Sequence, residues 1–94
     1  MSPRFEWDRR KASANRAKHG VTFEEAMTVF PDRLARIFDD PDHSRRETRE
    51  IIIGHSSRQR LLMVCFTERA GSVRIISARR ATPSERKDYE EGTS

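Results

Sequence analysis

At 94 residues the chain is expected to form one domain, residues 1–94, with a core too small to subdivide. Its single cysteine, Cys65, excludes an intramolecular disulfide, and its longest apolar run, residues 61–66, is far too short to cross a membrane. Nothing resembles a secretory leader, so the cytoplasm is the expected compartment, and nineteen Lys+Arg against fifteen Asp+Glu leave a net charge of +4 that suits an anionic partner.

The first element read from the N-terminus is a short strand, in which Phe5 and Trp7 alternate with polar neighbours. Asp8 then caps a helix running to about His19, and Gly20 supplies its left-handed stop. A second helix opens on the capping box Thr22 and Glu25. Its apolar stripe is Phe23, Ala26, Met27 and Phe30, ended by Pro31. The period then changes to that of strands, at residues 34–40, 49–57, 60–68 and 72–80. A Pro/Asp/His/Ser loop beginning at Pro41-Asp42 separates the first two, while Arg58-Gln59 and Arg69-Ala70-Gly71 make the later turns. Links this short predict an antiparallel meander. Thr82, Pro83 and Glu85 mark the start of a last helix to about Glu91, followed by a frayed tail at residues 92–94. The fold class is α+β. The strands are apolar on both sides: the N-terminal helices can cover one face, and the other needs the last helix or a partner.

Sixteen of the nineteen cations are arginine, whose planar fork matches phosphate oxygens. They divide evenly between the halves of the chain, so the count reads as ordinary surface; the local pair Arg79-Arg80, with Arg86 close behind, is the informative feature. Regular alternation places Val73, Ile75, Ser77 and Arg79 on one side of the last strand, and Arg74, Ile76, Ala78 and Arg80 on the other. The strand's charged end meets a helix N-terminus, which also favours anions. Arg79 or Arg80, Arg86 and Tyr89 can converge there, guanidinium to clamp a phosphate and phenol to stack on a base or move a proton. Spacing is equally compatible with a salt-bridged surface, Arg86 with Glu90 and Glu85 with Arg80, and Tyr89 packed in an amphipathic lid.

The first helix aligns Lys11, Asn15, Lys18 and His19 on one polar face. That is either a basic face with a proton donor for RNA or a solvated face with His19 as a C-terminal cation, and spacing alone favours the second. No metal site is expected: His43, His55, Asp39, Asp40 and Asp42 lack ligand spacing, and the aspartates suit turns around Pro41. Cys65 lies mid-strand and reads as a small buried hydrophobe; neither a nucleophile elbow nor a phosphate loop is present.

Residues Phe5-Glu6-Trp7-Asp8, Lys11, Asn15, Lys18-His19-Gly20-Val21 and Phe23-Glu24-Glu25-Ala26 form a string that resembles the opening of BrnT-type toxins of bacterial type II toxin–antitoxin systems. Phe38-Asp39-Asp40-Pro41, Ile51-Ile52-Ile53-Gly54, Ile75 through Ala81, Glu85-Arg86 and Tyr89 continue it in unbroken order. The resemblance implies a RelE-like fold and a ribosome-associated or free RNA-cleaving toxin that inhibits translation. It implies a BrnA-type antitoxin whose ribbon-helix-helix domain binds DNA, so that the toxin meets DNA only through that complex. It also implies that Lys11, His19, Arg79, Arg80, Glu85 and Tyr89 matter for cleavage. Lys18, Arg74 and Arg86 are the expected RNA-binding cations.

The expected mechanism needs no metal or cofactor: the RNA 2′-OH attacks the adjacent phosphorus, leaving a 2′,3′-cyclic phosphate and a 5′-OH. His19 and Glu85 rank first for proton transfer and Arg80 first for charge stabilisation. Because Arg79 and Arg80 leave the strand on opposite sides, one meets RNA while the other braces Glu85 or receives the antitoxin. Two other classes fit the charge as well, a nucleic-acid-binding module without catalysis and a pure interaction protein.

Overall fold

The computed structural model describes residues 4–40 and 48–92, so the proposed loop at Pro41, Asp42 and His43 and the last two residues of the tail lie outside the described residues. The elements run β1 (Arg4–Glu6), α1 (Arg9–His19), α2 (Phe23–Met27), β2 (Arg36–Asp39), β3 (Glu50–His55), β4 (Leu61–Arg69), β5 (Ser72–Arg80) and α3 (Pro83–Gly92). β2 to β5 pair antiparallel in sequence order. β1, which the sequence left unpaired, adds to β5 in parallel and makes one five-stranded sheet, ordered β1-β5-β4-β3-β2. No helix among the described residues is long and apolar enough to cross a membrane.

Local chemistry sets the helix limits. Asp8 accepts from the backbone N–H groups of Arg10 and Lys11, at 2.7 and 3.1 Å, and Gly20 at φ 68° returns its N–H to Arg16. Thr22 caps α2 through the N–H of Glu25. That helix ends at Met27 rather than at Pro31. The N–H groups of Thr28, Val29 and Phe30 turn back to carbonyls three residues earlier, and the Thr28 hydroxyl donates to the Glu25 carbonyl at 2.6 Å. Phe30 still enters the core, edge-on to Phe5 and Phe66 with ring centroids 5.1 Å away in each case.

Under α1 and α2 the centre of one sheet face is closed. Val21, Phe23, Ala26 and Val29 pack there on Ile52, Leu62, Val64, Phe66, Val73, Ile75 and Ala78, all buried. Gly54 shares this face through its pairing with Leu62. A Cβ there would stand 2.8 Å from that of Ala35, so the 28–35 turn can approach β3 only because the side chain is missing. Glu25 is the buried charge of this half. Arg60 pairs with it, Nε donating at 2.9 Å, and the Ser56 hydroxyl donates at 2.7 Å, which together lower the Glu25 carboxyl below its ordinary range.

The alternation expected in β5 does not hold along its length. Phe66 pairs with Ile75 but its neighbour Cys65 pairs with Ser77, so Ile76 is an extra residue in a β-bulge. Val73, Ile75 and Ala78 therefore share the helix-covered face, and Ser77 and Arg79 fall on the opposite one; regular alternation would have set Ile75 and Arg79 together. Arg80, paired with Leu62, points to the helix side and is exposed.

Candidate functional site

The second sheet face is only partly roofed. Cross-strand pairing puts Phe38, Ile51, Ile53, Met63, Cys65, Ser77 and Arg79 on it. α3 covers one end: Tyr89 packs on Ile53 and Leu61 with Met63 and Ala81, and its hydroxyl donates to the Leu34 carbonyl at 3.1 Å. Burial pushes the Tyr89 phenol up. Arg36 donates to the Gly92 carbonyl and holds the far end of the helix.

At its near end α3 is fixed by a reciprocal cap. The N–H of Glu85 donates to the Thr82 hydroxyl at 3.1 Å, and the N–H of Thr82 donates to Glu85 Oε1 at 2.9 Å. The same carboxylate takes a bidentate guanidinium from Arg79, Nη1 to Oε1 and Nη2 to Oε2, both at 2.8 Å. These bonds, Arg79 foremost, outweigh the burial that opposes them and bring the Glu85 carboxyl down to about 2, while Arg79 is raised in turn. Glu85 thus pairs with Arg79, not with Arg80 as the salt-bridged alternative had it.

Beside this pair the open face holds two adjoining depressions. One, of about 400 Å³, is ringed by Lys18, His19, Arg49, Ser77 and Arg79 with a single carboxylate, Asp40, to which the Cys65 thiol donates at 3.5 Å. The other, of about 450 Å³, has a floor of Phe38, Ile51, Ile53 and Met63 and a rim of Arg36, Arg79, Glu85, Asp88 and Tyr89. Asp40, Ile51, Met63 and Arg79 line both.

His19 and Arg79 are brought together by Asn15. Its amide, 6 % exposed, donates to the Val21 carbonyl at 2.9 Å and to the Ala78 carbonyl at 2.8 Å, and accepts from the Ala78 N–H at 3.0 Å. His19 is one helical turn beyond Asn15, and Arg79 directly follows Ala78. One buried side chain thus fixes α1 against β5 at the bulge. The sequence had placed Asn15 on a polar outer face.

Of the residues expected to act, Lys18, His19, Arg79, Glu85 and Tyr89 share the open face. Lys11, Arg74, Arg80 and Arg86 line neither depression; Arg74 lies beside β1, 3.7 Å from Glu6. Arg49 went unremarked in the sequence, although it keeps strand parity with Ile51 and Ile53, and Phe38 entered only through the family resemblance. Elsewhere His55 approaches Asp32 at 3.9 Å, and no three His, Cys, Asp or Glu among the described residues are grouped to hold a metal ion.

A model of the family described as the ribonuclease toxin, BrnT, of type II toxin–antitoxin systems matches residues 7–85. Among solved structures, the 1.1 Å crystal structure of the Brucella abortus ribonuclease toxin BrnT is similar, with a TM-score of 0.66 and 24 % identity over 86 % of this chain and 99 % of that one. At that identity the likeness speaks for the fold. No curated protein matches. With the family pattern spanning α1 to the start of α3, the chain belongs to the BrnT family of ribonuclease toxins of type II toxin–antitoxin systems.

Proposed function

We propose that the chain is a RelE-like endoribonuclease that cuts RNA by 2′-OH attack without a metal ion, inhibits translation, and is neutralised by a BrnA-type antitoxin carrying a ribbon-helix-helix domain. The observation that carries this reading is the ring of Lys18, His19, Arg49 and Arg79 around one depression on the open face. Four cationic or proton-bearing side chains against one carboxylate favour a phosphodiester and disfavour a divalent cation. In the reaction the 2′-oxygen forms a bond to phosphorus as the bond to the 5′-oxygen breaks. The 2′-OH gives up its proton, and the departing 5′-oxygen gains one.

His19 is the best candidate for a proton transfer, since a neutral imidazole offers one nitrogen that donates a proton and one that accepts. Arg79, immobilised by Glu85, is suited to the charge that builds on the phosphorane oxygens. This departs from the sequence ranking, which favoured Arg80: Arg80 leaves the strand on the other side, free to meet a flanking stretch of RNA or the antitoxin. Glu85, held as a carboxylate near pKa 2, is better suited to orienting Arg79 than to exchanging protons near neutrality. Tyr89, buried with its phenol pushed up, anchors α3. Lys18 and Arg49 would hold phosphate; Lys11, Arg74 and Arg86 are left for RNA outside the depression.

The test is cleavage of single-stranded RNA in the presence of EDTA, with mapping of the new ends. His19→Ala is expected to lose about 10²- to 10⁴-fold in rate and Arg79→Ala about 10²- to 10³-fold, with Arg80→Ala much less affected. If the first two variants, folded by circular dichroism, cut like the wild type, the site is wrongly assigned. A wild type that produces no 5′-OH ends but binds RNA in a salt-sensitive way is a binding module instead.

A further inference from the structure

We propose that the apolar depression beside Arg79 is a nucleobase subsite, with Phe38 as its stacking wall, for the nucleotide adjoining the phosphate held by Arg79. The proposal rests on the RNA-cleavage reading and adds to it where the base lies.

Phe38 is out of keeping with the other aromatics. Phe5, Trp7, Phe23, Phe30 and Phe66 meet edge-to-face within or against the core, whereas Phe38 is 43 % exposed. Its pairing with Ile51 sets it on the open face, and Ile53 and Met63 continue the floor. A half-exposed ring beside an aliphatic floor is the surface on which an unpaired base stacks, since every base has a π-face.

Charge decides which part of a nucleotide enters. The depression is lined by Asp40, Glu85 and Asp88 against Arg36 and Arg79, of which Arg36 donates to the Gly92 carbonyl and Arg79 is bound by Glu85. That balance is negative, so sugar-phosphate is drawn instead to the neighbouring ring of Lys18, His19, Arg49 and Arg79. Size agrees. Phe38 on β2 lies three strand spacings across from Ser77, and Arg79 is two residues further along β5, so the two backbones stand about 16 Å apart. Both side chains line the one depression, whose volume of about 450 Å³ has room for a flat ring system over Ile51 and Met63. Glu85, Asp88 and Tyr89 of α3 bound the depression on one side.

The test uses a 2′-deoxy hexamer, which lacks the attacking hydroxyl, and its abasic counterpart. Phe38→Ala is expected to bind the hexamer on the order of tenfold more weakly and the abasic strand as the wild type does, with Phe38→Trp restoring affinity. Ile37→Ala, exposed on β2 but on the opposite face, serves as the control and should change neither. End mapping on RNA should show Phe38→Ala losing nucleotide preference beside the cut. Unchanged hexamer affinity in Phe38→Ala overturns the subsite, as does a loss confined to antitoxin binding, which would make this face a protein interface. If the wild type makes no 5′-OH ends yet its hexamer affinity depends on Phe38, the cleavage reading fails and the base subsite stands.

Discussion

The two faces of the sheet are made from the same strands but finished differently. On the helix-covered face the central cross-strand positions are apolar and buried, and the polar groups that reach it, Asn15 and Glu25, are hydrogen-bonded. On the other, an apolar floor is roofed at one end by Tyr89 and left open at the other, where Lys18, His19, Arg49 and Arg79 gather. The first face holds free energy of folding; the second holds exposed and half-buried charge, where a substrate can reach it. The bulge at Ile76 joins them, because it lets β5 bury Ile75 on one side and still present Arg79 on the other.

If that division is right, substitutions should separate by face. The largest stability effect is expected at Phe66, fully packed against Phe30: Phe66→Ala should cost about 3–5 kcal/mol, a large share of a small domain's total. Urea denaturation measures it, and cleavage per folded molecule should stay near wild type. His19→Ala should do the reverse. A Phe66→Ala chain that stays folded but loses cleavage would show that the faces are not separable.

Asn15 is where they should fail to separate. Asn15→Ala leaves the Ala78 N–H and two carbonyls without their partner in a buried place, a cost of about 1–3 kcal/mol. It also frees α1 to shift against β5, so cleavage should fall even at temperatures where the variant is fully folded. Asn15→Asp keeps the acceptor for the Ala78 N–H but turns a carboxylate toward two carbonyls, and should be worse in both respects. Stability loss with unchanged cleavage would reduce Asn15 to a core residue.

What the sequence could reveal follows the same division. Asp8, Gly20, Thr22 and the Thr82-Glu85 cap were legible because capping is local chemistry, decided within four residues. The bulge was not. Ile75-Ile76 is apolar at consecutive positions, so alternation has no polar residue to mark the slip, and only the pairing of Phe66 with Ile75 decides it. Asn15 looked like part of a polar helix face because Ala78, to which it bonds twice, lies 63 residues away. The addition of β1 to β5 is likewise a parallel contact between three-residue stretches far apart in the chain, Arg4–Glu6 with Ser72–Arg74. The candidate site is assembled from such distant contacts: α1, β2, β3, β4, β5 and α3 each supply part of it.

The smallest effect concerns the Arg79–Glu85 pair at the border of the two depressions. The Glu85 carboxyl stands near 2 in the folded chain against an ordinary 4.5, so the unfolded state takes up the proton first as pH falls. The pair's contribution is therefore complete above about 4.5 and is lost as pH drops toward about 2. With the Glu85 side chain 29 % exposed, solvent screening limits it to about 1–2 kcal/mol. Glu25, lowered by Arg60, loses its own contribution in the acid range, so the informative quantity is the difference between wild type and Glu85→Gln. That difference in denaturation midpoint should be largest at pH 6 and shrink through pH 3. The rate profile separates the two roles for Glu85. A group exchanging protons adds a titrating limb that Glu85→Gln removes, whereas a carboxylate that only orients Arg79 lowers the rate in Glu85→Gln and leaves the profile's shape above pH 4 unchanged.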